Sequence, residues 1–363
     1  MTYTTLSGLK FTETVATASV VDVNAQVPLF IVQTSSTISD LDGQITYYTG
    51  VDAFNTIVDS KGLTYSQAVI EQTLAEYGNT AFYVYSIKTD TSQGFTDAVK
   101  ATAHLLDVNR LVYIEEAKSG SSNSITSKIA AIKNGLVDNA SNGVFRTATI
   151  IPYGTVTDAV TNANSGTDEA NAISSLPTIL SANGNGRIEV AFPDENAGIV
   201  VGKCMASGYD DEPGRTPIES ALNESSYNFD ATQMLTLMNL GVLFLKPERS
   251  YGEYRYRICL GVNNGFKNNT ADGLIVCRTV VDELLRRISY DASPFVKAKE
   301  TQSNEVLLQS IVDGIVDEFV TADNIYRDGT SLTVSGDGNV FIVNGTIKPV
   351  RSAIAIEVNT TIQ

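Results

Sequence analysis

The residues with catalytic potential are few, and they do not converge. One histidine, His104, is the only imidazole in 363 residues, so any Ser/His/Asp or Cys/His arrangement has to use it as the base. No Gly-x-Ser-x-Gly elbow accompanies it, and it falls off the apolar stripe of its expected helix, near Asp97 and Lys100. It reads as a solvated surface histidine. Asp210-Asp211-Glu212 runs into Pro213-Gly214 without the alternating spacing that calcium loops use. A solvated turn, or a contact for a basic neighbour, suits that loop better than a metal. No HExxH, EF-hand loop or CxxC occurs, and Cys204, Cys259 and Cys277 are an odd number at wide spacing. They read as small buried hydrophobes in a reducing compartment. No cofactor or metal is expected.

Phosphate chemistry is equally thin. There is no GxxxxGK[ST], and Gly184 and Gly186 lack the third glycine and the strand-before, helix-after context of a dinucleotide fingerprint. Ser7-Gly8-Leu9-Lys10 satisfies SxxK, but no helix holds Ser and Lys on one face. The net charge of -16 argues against a nucleic-acid partner, because binding phosphates needs a basic footprint. The charge is uneven: residues 241–300 carry ten Lys and Arg against seven Asp and Glu, so this stretch is positive within an acidic chain. Tyr254 and Tyr256 alternate there with Arg255 and Arg257, which on a hairpin places tyrosines inward and arginines outward. That segment suits an acidic partner.

The elements that position these residues follow from periodicity. With 43% apolar and 18% charged residues, the composition is globular, and the length suffices for two or three domains. Pro28 to Val32 is a β-type run, and Tyr65 to Tyr77 has helical spacing with Ala68, Val69, Leu74 and Ala75 as its apolar positions. Gly78-Asn79 ends that helix, and Ala81 to Ile87 reads as a strand. The cycle repeats: a helix from Thr91 to Val108, a strand at Leu111 to Ile114, a helix from Ile125 to Leu136 and a strand at Ala148 to Ile151. Alternation of this kind favours an α/β layer with a parallel or mixed sheet. Further strands are expected at Arg187 to Phe192 and Val242 to Leu245, the latter in a hairpin with Tyr254 to Ile258, and helices at Ile173 to Leu180 and Ala197 to Gly208.

From Asp272 to Ser289 an apolar stripe is flanked by the i,i+4 pairs Asp282/Arg286 and Glu283/Arg287. The helix from Asn304 to Val320 has the broadest apolar face of the chain, including Leu307, Leu308 and Ile311, and reads as core. The end is β, with Ser331 to Val334 and Val340 to Val343 around a Gly336-Asp337-Gly338-Asn339 turn. The expected fold class is α/β, or mixed α+β, with layered sheets, flanking helices and extended terminal strand arms.

Both termini read as strands without a local partner. Thr12 to Val23 is rich in β-type residues, Val15, Val20, Val21 and Val23 among them, and Ser352 to Val358 alternates with Ile354, Ile356 and Val358 on one face. A lone strand is marginal in water because its backbone donors and acceptors need a sheet edge. Two such arms imply a chain that pairs with copies of itself. The apolar runs fall far below a membrane span and no apolar signal core opens the sequence, so neither membrane insertion nor export is expected.

The order of these segments resembles contractile tail sheath proteins of phages and related injection systems. The resemblance is carried by Val27 to Val32, Tyr48-Thr49-Gly50, Tyr65-Ser66-Gln67-Ala68-Val69 leading through Gly78-Asn79 to Phe82-Tyr83-Val84, the loop Gly208 to Pro217, Leu237-Met238-Asn239-Leu240-Gly241-Val242, and Val276-Cys277-Arg278-Thr279-Val280-Val281-Asp282. It implies an arm over 1–24, an α/β sheath domain over 25–160, a sheath core over 161–351 and a strand arm over 352–363. It further implies six-fold rings of subunits stacked around an inner tail tube protein, ended by baseplate and neck or terminator proteins, with no nucleic acid bound. The arms would add strands to sheets of neighbouring subunits, and basic residues of the C-terminal half would face the tube, with Arg278, Arg286, Arg287, Lys297 and Lys299 as candidates. The implied place is a virion tail or injection particle, assembled in a bacterial host cytoplasm. Two other readings remain open on the residues alone: an α/β enzyme or small-molecule binding domain, and a surface-lattice protein.

Overall fold

The computed structural model describes residues 9–11, 27–33, 43–52, 54–55, 64–87, 92–105, 107–115, 125–141, 144–151, 187–192, 195–218, 229, 234–235, 237–238, 241–250, 253–263, 273–295, 298–299, 301–337 and 340–351. Its centre is a seven-stranded sheet built from β2 (Leu29–Gln33), β3 (Ile45–Tyr48), β4 (Phe82–Ile87), β5 (Arg110–Glu115), β6 (Thr147–Ile151), β7 (Ile188–Ala191) and β8 (Val242–Leu243). The spatial order is β3-β4-β2-β5-β6-β7-β8. Every neighbouring pair is parallel except β3 with β4.

Alternation within the strands sorts side chains onto two faces, both buried, as a mainly parallel sheet requires. Phe30, Val32, Phe82, Val84, Val112 and Ile114 face α1 (Thr64–Tyr77) and α4 (Ala197–Ala206). Leu29, Ile31, Leu111, Tyr113, Ile150 and Val190 face α2 (Ser92–Ala101) and α3 (Ile125–Ser141). The result is a three-layer α/β/α unit.

The apolar positions expected on α1 differ in part from those observed. Ala68 and Ala75 are exposed, whereas Ser66 and Thr73 are buried beside Val69, Ile70 and Leu74. The cause lies on α4, where Gly198 and Gly202 present a bare backbone to α1. A Cβ on Gly198 would stand 2.4 Å from the Val69 carbonyl oxygen, and one on Gly202 would stand 2.6 Å from that of Thr73. The helices therefore touch backbone to backbone, and Thr73 Oγ1 donates to the carbonyls of Val69 at 2.8 Å and of Gly198 at 3.1 Å. Small and polar residues line this seam because nothing larger fits.

After β8 the chain leaves the large sheet. Val242 to Leu245, expected as one strand, is split at Phe244: β8 completes the main sheet, and β9 (Leu245–Ser250) pairs antiparallel with β10 (Glu253–Ile258). A further core then gathers around α5 (Ile275–Asp291) and α6 (Gln302–Thr321), with Leu245, Ile258, Leu284, Ile288, Val312 and Val316 at its centre. Leu307, expected in this core, is 56% exposed, and Ile311 is only partly buried. The buried stripe of α6 is the narrower set Leu308, Val312, Ile315, Val316 and Phe319, since one side of the helix packs and the flanks stay in water. A three-stranded sheet finishes the fold, formed by β11 (Ser331–Asp337), β12 (Val340–Thr346) and β1 (Leu9–Phe11) in the order β1-β12-β11.

No helix among the described residues is long and apolar enough to cross a membrane. The helix expected at Ile173 to Leu180 and the loop before it lie outside the described residues.

Candidate assembly surfaces

The three-stranded sheet brings the start of the chain to its far end. β11 and β12 form an antiparallel hairpin in which Val334 faces Val343. Phe341 and Val343 of β12 are buried, and Phe341 packs edge-on to Phe295 with ring centroids 6.4 Å apart. On the other side of β12 lies β1, in parallel register with Leu9 opposite Phe341 and Phe11 opposite Val343. A strand so short is held mainly by backbone pairing with its neighbour.

The outer edge of β11 is treated differently, because α6 runs beside it. Gln309 Nε2 donates to the Leu332 carbonyl at 3.0 Å, and its Oε1 accepts the Val334 N–H at 2.7 Å. One turn earlier, Glu305 Oε1 accepts the Gly336 N–H at 2.6 Å. Gln309 Nε2 also donates to Asp313 Oδ1 at 2.8 Å, which fixes the amide's orientation, since a flipped amide would set its oxygen against a carboxylate and a carbonyl.

The basic candidates are placed as follows. On α5, Arg278 and Arg286 point into ion pairs with Asp282 and Glu283, at 16% and 24% side-chain exposure. Arg287 is more open and reaches across to Glu318 of α6 at 3.0 Å. Lys299 is exposed just before α6, and Lys297 lies outside the described residues. The i,i+4 pairing expected along α5 is thus redrawn: Asp282 pairs with Arg278 one turn back, and Glu283 with Arg286 at i+3. Both carboxylates are buried rather than solvated, so their partners are whichever cations reach the interior.

Asp282 has a second partner from the sheet. Arg187, immediately before β7, places NH1 at 2.5 Å from Oδ2 and NH2 at 2.9 Å from Oδ1, both groups being almost fully buried. Burial alone would raise the Asp282 carboxyl. The Arg187 and Arg278 guanidiniums outweigh that and hold it at about 2. Beside it, Arg110 at the start of β5 pairs with Glu189 of β7 and donates to Thr149 Oγ1 at 2.8 Å, while Thr149 Oγ1 lies 2.8 Å from Glu189 Oε2. Arg146, immediately before β6, donates to the carbonyls of Val108, Thr102 and Leu105 beyond α2, and burial lowers its guanidinium to about 10. Three neighbouring strands thus each open on a buried arginine, and Arg187 joins the sheet to α5. The signal was present in sequence as a lone arginine leading into each apolar strand.

The acidic loop after α4 borders a cavity of about 420 Å³, together with Arg215, Cys259, Val276, Asn324 and Arg351. Asp211 is paired with Arg215 at 3.0 Å, and Glu212 accepts the Gly261 N–H at 2.5 Å. Burial raises the Glu212 carboxyl against the backbone donors of Gly261 and Gly214. Among the described residues no three metal-ligating side chains come together, and His104 is exposed. Cys204 and Cys277 are buried, Cys259 is half-buried, and none of the three is in a disulfide.

No family model and no curated protein matches the sequence. Solved structures do match, over nearly the whole chain. The helical sheath of the anti-feeding prophage in its contracted state aligns with a TM-score of 0.63 at 13% identity, covering 99% of this chain and 97% of that one. The contracted sheath of an extracellular contractile injection system, the PVC sheath complex, gives 0.62 at 13% identity, with 99% and 95% covered. The chain has the contractile-sheath fold. A sheath tail protein from Desulfitobacterium hafniense matches at 0.57 and 11% identity, with 93% and 96% covered. Leu9–Phe11, which falls in the stretch expected as an N-terminal arm, is paired here with β12 of its own chain. The arm candidates Val15, Val20, Val21, Val23, Ile354, Ile356 and Val358 lie outside the described residues.

Proposed function

We propose that this chain is the structural subunit of a contractile sheath, which polymerises as stacked six-fold rings around an inner tube and contracts to drive the tube through a target envelope. The observation that carries this reading is the end-to-end match of the fold to sheaths in the contracted state. The seating of Leu9–Phe11 on β12 supports a mechanism of assembly by strand exchange. A short segment paired through its backbone can be replaced by the same segment of a second copy, which is the logic of domain swapping. Because donor and acceptor are different surfaces, the contact is head-to-tail and propagates an open helix. The arm residues around Val15 to Val23 and the strand Ile354, Ile356 and Val358 are proposed as the joints that stay paired while subunits rotate. The match to a protein of the anti-feeding prophage baseplate, at a TM-score of 0.65 and 14% identity, supports a baseplate among the partners.

The tube contact is proposed on the positive stretch 241–300 within the C-terminal half. Of the candidates placed in the structure, Arg287 and Lys299 are exposed, whereas Arg278 and Arg286 are drawn inward by Asp282 and Glu283. Electron microscopy of the purified chain, with and without a co-expressed tube protein, tests the reading. Tubular polymers are expected, and deletion of residues 1–21 is expected to abolish them with the circular dichroism spectrum unchanged. Smooth monomers at high concentration in both preparations would overturn it.

A further inference from the structure

A subunit that assembles by strand addition has a problem at the sheet that accepts the strand. Such a sheet has two edges, and each is a row of unpaired backbone groups open to any extended segment. In the β11–β12 hairpin one edge is β12, covered in this chain by Leu9–Phe11, the segment proposed to exchange. The other is β11. Three groups on its outward side, the Leu332 carbonyl and the Val334 and Gly336 N–H, are taken by Gln309 and Glu305 of α6. The Gln309 carboxamide presents one donor and one acceptor to successive outward positions of β11, as a peptide group of an added strand would. Asp313 holds it in that orientation.

We infer that Gln309 and Glu305 close the β11 edge against strand addition, so that the extended segment of a second copy docks only on the β12 side. Resting on the proposed sheath role, this makes the two residues determinants of assembly geometry. An acceptor sheet with one usable edge extends a single helical lattice, whereas two usable edges would also admit lateral, off-lattice contacts. The helix is suited to the task. Thr301 caps it by accepting the Asn304 N–H, so Glu305 is left to reach Gly336. The side chains on the exposed side of β11, Ser331, Thr333, Ser335 and Asp337, are polar and give an incoming strand no apolar face to bury.

The test is amide hydrogen exchange on dispersed full-length protein, followed by light scattering and electron microscopy. In the wild type the Val334 and Gly336 amides are expected to be protected although they point away from β12; exchange at the rate of an open loop would overturn the inference without any mutation. In the variant Glu305→Ala/Gln309→Ala the same two amides are expected to exchange about fivefold faster. That variant should also associate laterally into bundles or sheets that the wild type does not form. Unchanged exchange, or faster exchange without lateral association, would overturn the inference. Because exchange is read on dispersed protein, a chain that never forms tubes but protects both amides would sink the sheath reading and leave the closed edge standing.

Discussion

Arg187 and Asp282, 95 residues apart in sequence, meet in a buried bidentate ion pair that fastens the large sheet to α5. Arg278 closes on the same carboxylate from the helix's preceding turn, so one anion serves two cations. This cluster joins the large sheet to the core around α5 and α6. Loss of Arg187 leaves the buried carboxylate with one guanidinium fewer to offset its desolvation, and that is the costly event.

Replacing Arg187 by Met is therefore expected to destabilise the protein by about 3 kcal/mol in urea unfolding. Combining it with Asp282→Leu should recover much of that loss, since the two most deeply buried charges of the cluster are then gone and Arg278 is the one nearest solvent. A double variant no more stable than Arg187→Met would show that the pair contributes little beyond its packing.

The same pair sets an acid dependence. The Asp282 carboxyl is held at about 2, below its ordinary value of 3.8. Between those values the unfolded chain binds the proton and the folded one does not. The stability it contributes is thus full above about pH 4 and falls away as pH drops through about 2. Asp282→Asn should flatten the slope of unfolding free energy against pH across that window while lowering stability at neutral pH.

At the α1–α4 seam, Gly198→Ala and Gly202→Ala each drive a methyl into a carbonyl oxygen and are expected to cost about 1–3 kcal/mol by thermal or urea unfolding. Gly314, inside α6, has open space around it, so Gly314→Ala should stabilise by about 0.5–1 kcal/mol. Equal effects at the three positions would contradict the close approach.

For the tube contact, Arg287→Glu and Lys299→Glu together should reduce co-sedimentation with assembled tubes, and the residual wild-type binding should weaken as salt is raised. Arg287 also pairs with Glu318, an exposed pair worth little, so the reversal is expected to leave the melting temperature nearly unchanged. A large drop in melting temperature would assign Arg287 a structural role instead.

The order of helices and strands was legible because it rests on local chemistry. Leu29–Gln33, Phe82–Ile87 and Arg110–Glu115 are apolar runs that only a two-sided core accommodates, and Thr64–Tyr77 stops at Gly78, as its sequence indicates. The positive character of residues 241–300 was likewise a matter of residue type. Partners were not legible. An i,i+4 reading of Asp282 and Arg286 presumes a solvated helix face, and it failed where that face turned inward to meet Arg187. Nor does any local pattern say that Phe244 divides two sheets, that β2 lies inside the large sheet, or that Gln309 serves as the missing peptide of a strand. Periodicity reports which side of an element avoids water. Which groups then meet is decided by chain reversals that bring distant residues together, and by the cost of leaving any buried donor, acceptor or charge unmatched.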